Sequence, residues 1–256
     1  MSIEALDTEH FIRGYDCGYG GPLKPFSLAN FFQEAAGEHA AKLGIGMDAL
    51  FSLGRTWMLS RIDIGIERLP LTGDRVVVRT WPFGTERVFA MRCMELLDSQ
   101  GRRMAGALYN YFIYDIENGR PLRPERILDP DLKVDRPLPY ADLSPGLHEP
   151  GLFPVELSGK PEDSGWRSAF GLDVSPYHID NNGHVNNAHF VNWLCDAVPP
   201  EERGSGQARR IKVDFVSEAK RGERLVACWR KNELGDFHSI VLRESQVVAR
   251  ALTRWE

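Results

Sequence analysis

The densest run of chemically capable side chains is Tyr177-His178-Ile179-Asp180-Asn181-Asn182-Gly183-His184-Val185-Asn186-Asn187-Ala188-His189. Asp180, Asn182 and His184 set a carboxylate, a carboxamide and an imidazole at alternate positions, just before an apolar helical pattern over about 185–197. A helix start offers unpaired N–H groups and the positive end of the helix dipole, where a carbonyl can be polarised or a developing oxyanion held. Asn, Asp and Gly are also ordinary turn residues, and Asn186 or Asn187 can cap the helix. The pairing of Asp180 with His184 is what a turn alone does not require. A second carboxylate, Glu218 in Val213-Asp214-Phe215-Val216-Ser217-Glu218-Ala219, ends a strand pattern. It can reach the helix entrance if that strand packs on the helix of its own unit.

Other chemistries fit less well. His178, Asp180, His184 and His189 are metal-ligand types, but His184 and His189 are five apart, which misses the i, i+4 face of a helical zinc pair. Placing Gly183 at the sixth position of a calcium loop puts His178 at the first, where a carboxylate belongs. No metal is expected, and with no phosphate-cradling glycine motif, no nucleotide or other cofactor is expected either. Cys17, Cys93, Cys195 and Cys228 form no C-x-x-C pair and read as buried thiols, Cys195 as core. A net charge of −5 argues against nucleic acid and anionic lipid as partners. No apolar run reaches the roughly 20 residues of a membrane span, and the first twenty residues lack the pattern of a secretory signal, so a cytoplasmic protein is expected.

The elements that must position these residues form two sets. Nine of the sixteen prolines fall between Glu117 and Gly165, a stretch that reads as a connector (117–165) between an N-terminal half (1–116) and a C-terminal half (166–256). In the first half Leu28, Phe31, Phe32, Ala35, Ala36, His39 and Leu43 recur at helical spacing, with Ser27 placed to cap the start and Gly44 to end it. Strand patterns follow at Ile62–Ile66, Val76–Trp81, Val88–Leu97 and Met104–Tyr114. The second half repeats the order: the helical pattern, then Arg209–Phe215, Leu225–Trp229, Phe237–Arg243 and Val247–Trp255. Local matches support a duplication. Gly73-Asp74-Arg75-Val76-Val77 stands beside Gly222-Glu223-Arg224-Leu225-Val226, and Ala105-Gly106-Ala107-Leu108 beside Ala249-Arg250-Ala251-Leu252. The fold class is α+β, each unit an antiparallel sheet wrapped around a central helix. The polar set is absent from the matching first-half stretch Gly18-Tyr19-Gly20-Gly21-Pro22-Leu23, so a single site in the second half is expected.

Asp180-x-Asn182-x-His184-Val185-Asn186-Asn187-x-x-Phe190-x-x-Trp193 resembles the second-half signature of the fatty acyl-ACP thioesterases of plant plastids and bacteria. Phe11-Ile12-Arg13, Leu28-x-Asn30-x-x-Gln33-Glu34-Ala35-Ala36 and His39-Ala40 resemble that family's opening strand and helix. The resemblance implies two tandem hot-dog units and release of free fatty acid from acyl-acyl carrier protein in fatty acid biosynthesis. It implies no cofactor, and Asp180, Asn182, His184 and Glu218 as catalytic residues. Plant members carry a cysteine after the glutamate; here Ala219 stands there, which removes a Cys-His-Asn mechanism. Either Glu218 or Asp180 then activates water, or Asp180 attacks the thioester to give an anhydride, with His184 orienting the reaction. Asn182 and the N–H groups at the start of the Val185 helix would hold the acyl oxygen.

The first unit would supply an apolar channel, with Phe32, Trp57 and Met58 as substrate-binding candidates. Between Arg203 and Lys231 nine basic residues face three acids, a stretch that could steer an acidic acyl carrier protein. Association into a homodimer stays open. The rival readings are an acyl-CoA thioesterase or a hot-dog dehydratase, and, farther off, a non-catalytic acyl-binding protein.

Overall fold

The 18-residue helix α1 (Pro25–Lys42) starts where Pro25 pre-sets the helical φ at its first position, so Lys24 is the N-cap and Ser27 lies buried inside the helix, not at its cap. At the other end Gly44, with φ 72°, closes the helix as the spacing predicts. Leu28, Ala29, Phe32, Ala35, Ala36, His39 and Ala40 form its buried face. This is a computed structural model, describing residues 3–144, 157, 159–204 and 206–256. The chain divides into two units, Met1–Leu147 and His148–Glu256.

In the first unit α1 and the short α2 (Met47–Phe51) accompany an antiparallel sheet in the order β1 (Leu6–Phe11), β3 (Arg75–Glu86), β4 (Phe89–Asp98), β5 (Arg103–Asp115), β2 (Arg55–Ile66). The short β6 (Arg120–Leu122) pairs with the end of β5. The second unit repeats this order: β7 (Arg167–Asp173), β9 (Arg224–Lys231), β10 (Phe237–Arg243), β11 (Gln246–Trp255), β8 (Ala208–Phe215), with α3 (Asn187–Asp196) between β7 and β8. The sequence matches fall on equivalent elements, Gly73–Val77 and Gly222–Val226 entering β3 and β9, Ala105–Leu108 and Ala249–Leu252 within β5 and β11. This is the double hot-dog fold, one α+β unit used twice. No described helix is long and apolar enough to cross a membrane.

Of the proline-rich stretch, residues 134–144 cover the first unit's sheet on the side away from α1, while Leu122, Ile127, Leu128 and Leu132 pack with Leu50, Trp57 and Ile113. Val134, Leu138, Tyr140 and Leu143 pack around Trp81, Met91, Cys93 and Leu108. Arg136 and Arg103 stack over Trp81 and Tyr140 at 4.9 and 4.1 Å. Residues 145–156 lie outside the described residues. Gly106 on β5 makes this covering possible: a Cβ there would lie 2.5 Å from Pro139 Cβ and 2.9 Å from Tyr140 Cε2.

On the α1 side of the same sheet Arg92 is only 7% exposed, and no carboxylate among the described residues is in ion-pair reach of it. Its Nη1 bonds His39 Nδ1 at 3.0 Å and donates to Thr80 Oγ1 at 3.3 Å. Burial, and next the Arg92 charge, hold the His39 imidazole down at about 4. The same burial brings Arg92 below the ordinary arginine value.

Two tests follow from this packing. Gly106→Ala, which in an open strand would be neutral or favourable, is expected to destabilise the protein by about 1–3 kcal/mol in urea denaturation by overpacking against Pro139 and Tyr140. Unchanged stability would show that the 134–144 segment does not sit there. His39 is expected to stay neutral well below pH 6.5 while the unfolded chain takes up the proton near that ordinary value. Stability present above pH 6.5 is therefore lost as pH falls towards 4. Histidine NMR titration checks this, and a His39 midpoint near 6.5 would contradict it.

Candidate active site

A single 3₁₀ turn, Pro176–His178, leads into a chain reversal over Asp180–Gly183. Ile179 bridges Val185, Asp180 N donates to His184 O at 2.8 Å, and Gly183 N to Asp180 O at 3.0 Å. Gly183 has φ 79°, a conformation that other residues rarely adopt. Asp180 Oδ1 accepts from the N–H groups of Asn182 at 2.8 Å and His184 at 3.4 Å, an Asx turn. Its Oδ2 has no partner among the described residues, and the exposed carboxamide of Asn182 has none either.

The first unit builds the same loop without the chemistry. After the turn Gly14–Asp16, Cys17 bridges Leu23, Gly18 N donates to Pro22 O at 2.8 Å, and Gly21 N to Gly18 O at 3.0 Å. Leu23 N donates to Pro70 O at 2.9 Å, as Val185 N does to Ala219 O at 2.9 Å. The frames superpose residue for residue in their hydrogen bonds, which sets Gly18 opposite Asp180, Gly20 opposite Asn182 and Pro22 opposite His184. The loop therefore forms with no acid, amide or imidazole, and turn chemistry does not account for those three side chains in the second unit.

The Val185-to-Ala219 backbone bond carries the neighbouring Glu218 to the loop. Glu218 Oε2 lies 2.9 Å from His184 Nε2, both side chains being partly exposed. A carboxylate only accepts, so Nε2 carries the proton in this contact, and in the neutral imidazole Nδ1 is then the lone-pair nitrogen. Arg243 Nη1 donates to the Glu218 carbonyl at 3.1 Å and to the Glu223 carboxylate at 3.2 Å, fixing the segment from its other side. Sequence reading missed Arg243, which has no spacing signal and acts through a backbone oxygen.

The helix entrance differs from expectation. α3 begins at Asn187, with Asn186 as its N-cap accepting from Ala188 N at 2.9 Å. The N–H groups of Val185, Asn186, Ala188 and His189 donate to Ala219 O, His178 O, Asn186 Oδ1 and Asn186 O. They are spent on holding the loop and are not open to an acyl oxygen, which leaves Asn187 N–H at this end. His178 and His189 form an aromatic wall with Trp193, the rings 4.8, 5.1 and 5.7 Å apart. Burial lowers the pKa of both imidazoles. Among the described residues no group of three or more His, Cys, Asp or Glu could hold a metal ion. Cys195 is buried, its thiol pushed up to about 12 by desolvation.

In the first unit Phe32 and Trp57 belong to one run of rings on the α1 side, Phe32–Tyr109–Tyr111–Trp57, spaced 6.2, 6.3 and 6.1 Å. Trp57 packs with Leu50, Ile113 and Leu128. Met58 is its neighbour on β2, opposite Phe112 rather than Ile113, and so points to the other face of the sheet.

Sequence comparison decides the family. The profile described as the acyl-ACP thioesterase N-terminal domain matches residues 4–129, and that of the C-terminal domain matches residues 166–256. The chain belongs to the acyl-ACP thioesterase family. Among family members it is 26% identical over 220 residues to oleoyl-acyl carrier protein thioesterase 1 of Arabidopsis thaliana, covering 83% of this chain and 60% of that one. With the oleoyl-acyl carrier protein thioesterase of Coriandrum sativum identity is 25% over 217 residues, covering 82% and 58%. The chain thus spans less than two thirds of these plant relatives. Among solved structures it resembles an acyl-ACP thioesterase from Bacteroides thetaiotaomicron, with TM-score 0.82, 23% identity and 98% of each chain covered. A 12:0-ACP thioesterase from Umbellularia californica gives TM-score 0.81 at 20% identity, covering 98% of this chain and 97% of that one.

If the family loop is a backbone frame into which chemistry is set, its stability and its reactivity separate by mutation. Asn186→Ala is expected to lower stability by about 1 kcal/mol through loss of the cap. Asp180→Asn, whose amide oxygen still accepts from Asn182 N–H, is expected to stay within about 0.5 kcal/mol of wild type. Equilibrium denaturation of both variants checks this; a large loss for Asp180→Asn would mean that the carboxylate charge holds the loop.

Proposed function

We propose that this chain hydrolyses fatty acyl-ACP, with Asp180, Asn182, His184 and Glu218 as its catalytic residues. Free fatty acid and the carrier thiol are the products. The observation that carries the reading is the 2.9 Å His184–Glu218 contact beside a loop that its twin shows could have formed without either group. Membership of the family favours thioester hydrolysis over dehydration or acyl binding alone. No group beyond the protein's own side chains and water enters the reaction.

Glu218 holds the Nε2–H of His184 and leaves Nδ1 to take a proton from water. The water oxygen bonds the thioester carbon, and its proton passes to Nδ1. The tetrahedral intermediate then breaks its C–S bond, and the thiolate recovers the proton from the imidazolium. Asn182 is the exposed amide donor for the carbonyl oxygen, and such a donor contributes about 3 kcal/mol in other oxyanion sites. Asp180, with Oδ2 free, orders the water or the acyl group from the opposite end of the loop.

The alternative, direct attack by Asp180, draws on the same free oxygen and yields an anhydride that retains one oxygen of the carboxylate. For the acyl tail, we place the apolar wall along Phe32 and Trp57. Met58 is excluded by its face, and Arg92 marks where that side of the sheet ceases to be apolar. Four free, buried cysteines fit a reducing compartment, and we propose a cytoplasmic setting.

Glu218→Gln, His184→Ala and Asp180→Asn are each expected to lower kcat on acyl-ACP at least about a hundredfold with unfolding transitions retained. Hydrolysis in ¹⁸O-water under single turnover separates the routes. Label in Asp180 itself marks the anhydride, label in the fatty acid alone marks water attack, and near-normal rates in all three variants would remove the assignment.

A further inference from the structure

Of the nine basic residues between Arg203 and Lys231, most are engaged within the protein. Arg203 pairs with Asp196 at 3.8 Å, Arg209 with Glu256 at 3.1 Å, Arg224 with Asp173 at 3.0 Å and Lys231 with Glu202 at 4.0 Å. Arg230 stacks over Trp166 at 4.5 Å, and Arg210 and Lys212 have interactions of their own. Lys220 and Arg221 are different. Both are exposed, and neither side chain has a hydrogen bond or ion pair among the described residues. The carboxylates nearest in sequence are already occupied, Glu218 by His184 and Glu223 by Arg243.

The position of these two cations is fixed relative to the site. They are two and three residues beyond Glu218, a backbone separation of at most about 10 Å. Their turn is tied to the segment before the catalytic loop: Gly222 N donates to Val174 O and Val174 N to Glu223 O, both at 2.9 Å. Three residues beyond Val174 is Tyr177, 93% exposed. An aromatic ring and two unneutralised cations therefore stand on hydrogen-bonded neighbouring segments at the rim of the His184–Glu218 pair.

We propose that Tyr177, Lys220 and Arg221 form the docking face for an acidic carrier protein that delivers the thioester. The proposal rests on the hydrolase reading above. Tyr and Arg are the residue types that concentrate binding energy at protein interfaces, and a free cation pair gives electrostatic steering towards an acidic surface. Nucleic acid is disfavoured by the net charge of −5. A membrane surface is disfavoured because two cations contribute only about 2 kcal/mol to anionic lipid.

The test uses the full chain and its Lys220→Glu/Arg221→Glu variant, with Tyr177→Ala as a second variant. Titration with fluorescently labelled holo-acyl carrier protein, carrying a free thiol, reads docking without turnover. Charge reversal is expected to raise Kd at least about tenfold and to abolish its rise with salt, and Tyr177→Ala to raise it about fivefold. An unchanged Kd in both variants would overturn the docking face even if hydrolysis is confirmed. In kinetics, kcat/KM for acyl-ACP is expected to fall at least about tenfold more than that for the acyl thioester of N-acetylcysteamine. Equal falls, or an equal fall for acyl-CoA, would assign the cations to chemistry or to phosphate and overturn the carrier proposal. Absence of turnover on every thioester with normal carrier binding would remove the hydrolase reading and leave the docking face standing.

Discussion

One backbone hydrogen bond, Val185 N–H to Ala219 O, is what the candidate site depends on. It joins the loop that ends in His184 to the segment that carries Glu218, two stretches that meet only because β8 and β11 deliver the chain there. Ser217 and Val216 both donate to Val248 O, which shifts the chain off the regular ladder of β8 just before Glu218. Arg243 then grips the Glu218 carbonyl. With the backbone held on both sides, the flexible glutamate needs to fix only its own torsions to meet His184. That lowers the entropy lost in forming a partly exposed contact, which otherwise contributes little to stability.

The same bond exists in the first unit as Leu23 N–H to Pro70 O, and that equivalence separates frame from function. Where the second unit has Asp180, Asn182 and His184, the first has Gly18, Gly20 and Pro22, and the loop closes all the same. The hydrogen-bonded frame is a property of the repeated unit, and the acid, amide and imidazole are an addition to one copy. The first unit shows the converse specialisation on its sheet. Arg92 sits there with neutral His39 and Thr80 for company, a costly burial of charge that β10 does not copy, the buried Phe237 standing at the equivalent register position.

Much of this was legible in the sequence because it is periodic. The alternation of Ile62, Ile64 and Ile66 and the helical spacing from Leu28 to Leu43 report burial directly, and the Gly-acid entries to β3 and β9 gave the duplication away. Asp180, His184 and Glu218 were legible as residue types that a turn or a strand end did not need. What escaped was set by local competition. Pro25 overrode Ser27 for the helix start, and the entrance N–H groups were claimed by Ala219, His178 and Asn186, partners that no spacing rule exposes. Met58 followed Trp57 into the list of lining residues, although neighbours on a strand face opposite ways. Arg92 gave no warning because a charged residue within an apolar strand ordinarily marks an outward position, and here it points in.

Ala219 narrows the chemistry further. Its side chain is fully buried and its carbonyl oxygen is the acceptor that holds Val185, so the position after Glu218 serves the loop's frame. A sulfur nucleophile there would have formed a covalent acyl-enzyme and required the imidazole to serve the thiol. Without it, the hydrolysis proposed above leaves His184 and the two carboxylates as the destinations for the proton of the attacking oxygen. Of these, Glu218 Oε2 is committed to His184 Nε2 and Asp180 Oδ1 to the loop, so the acceptors without a partner among the described residues are Glu218 Oε1, Asp180 Oδ2 and, in the neutral imidazole, His184 Nδ1. Glu218 thus occupies the imidazole's donor while the loop N–H groups occupy one oxygen of Asp180, and the two contacts orient an imidazole and a carboxylate at the loop without burying either acid.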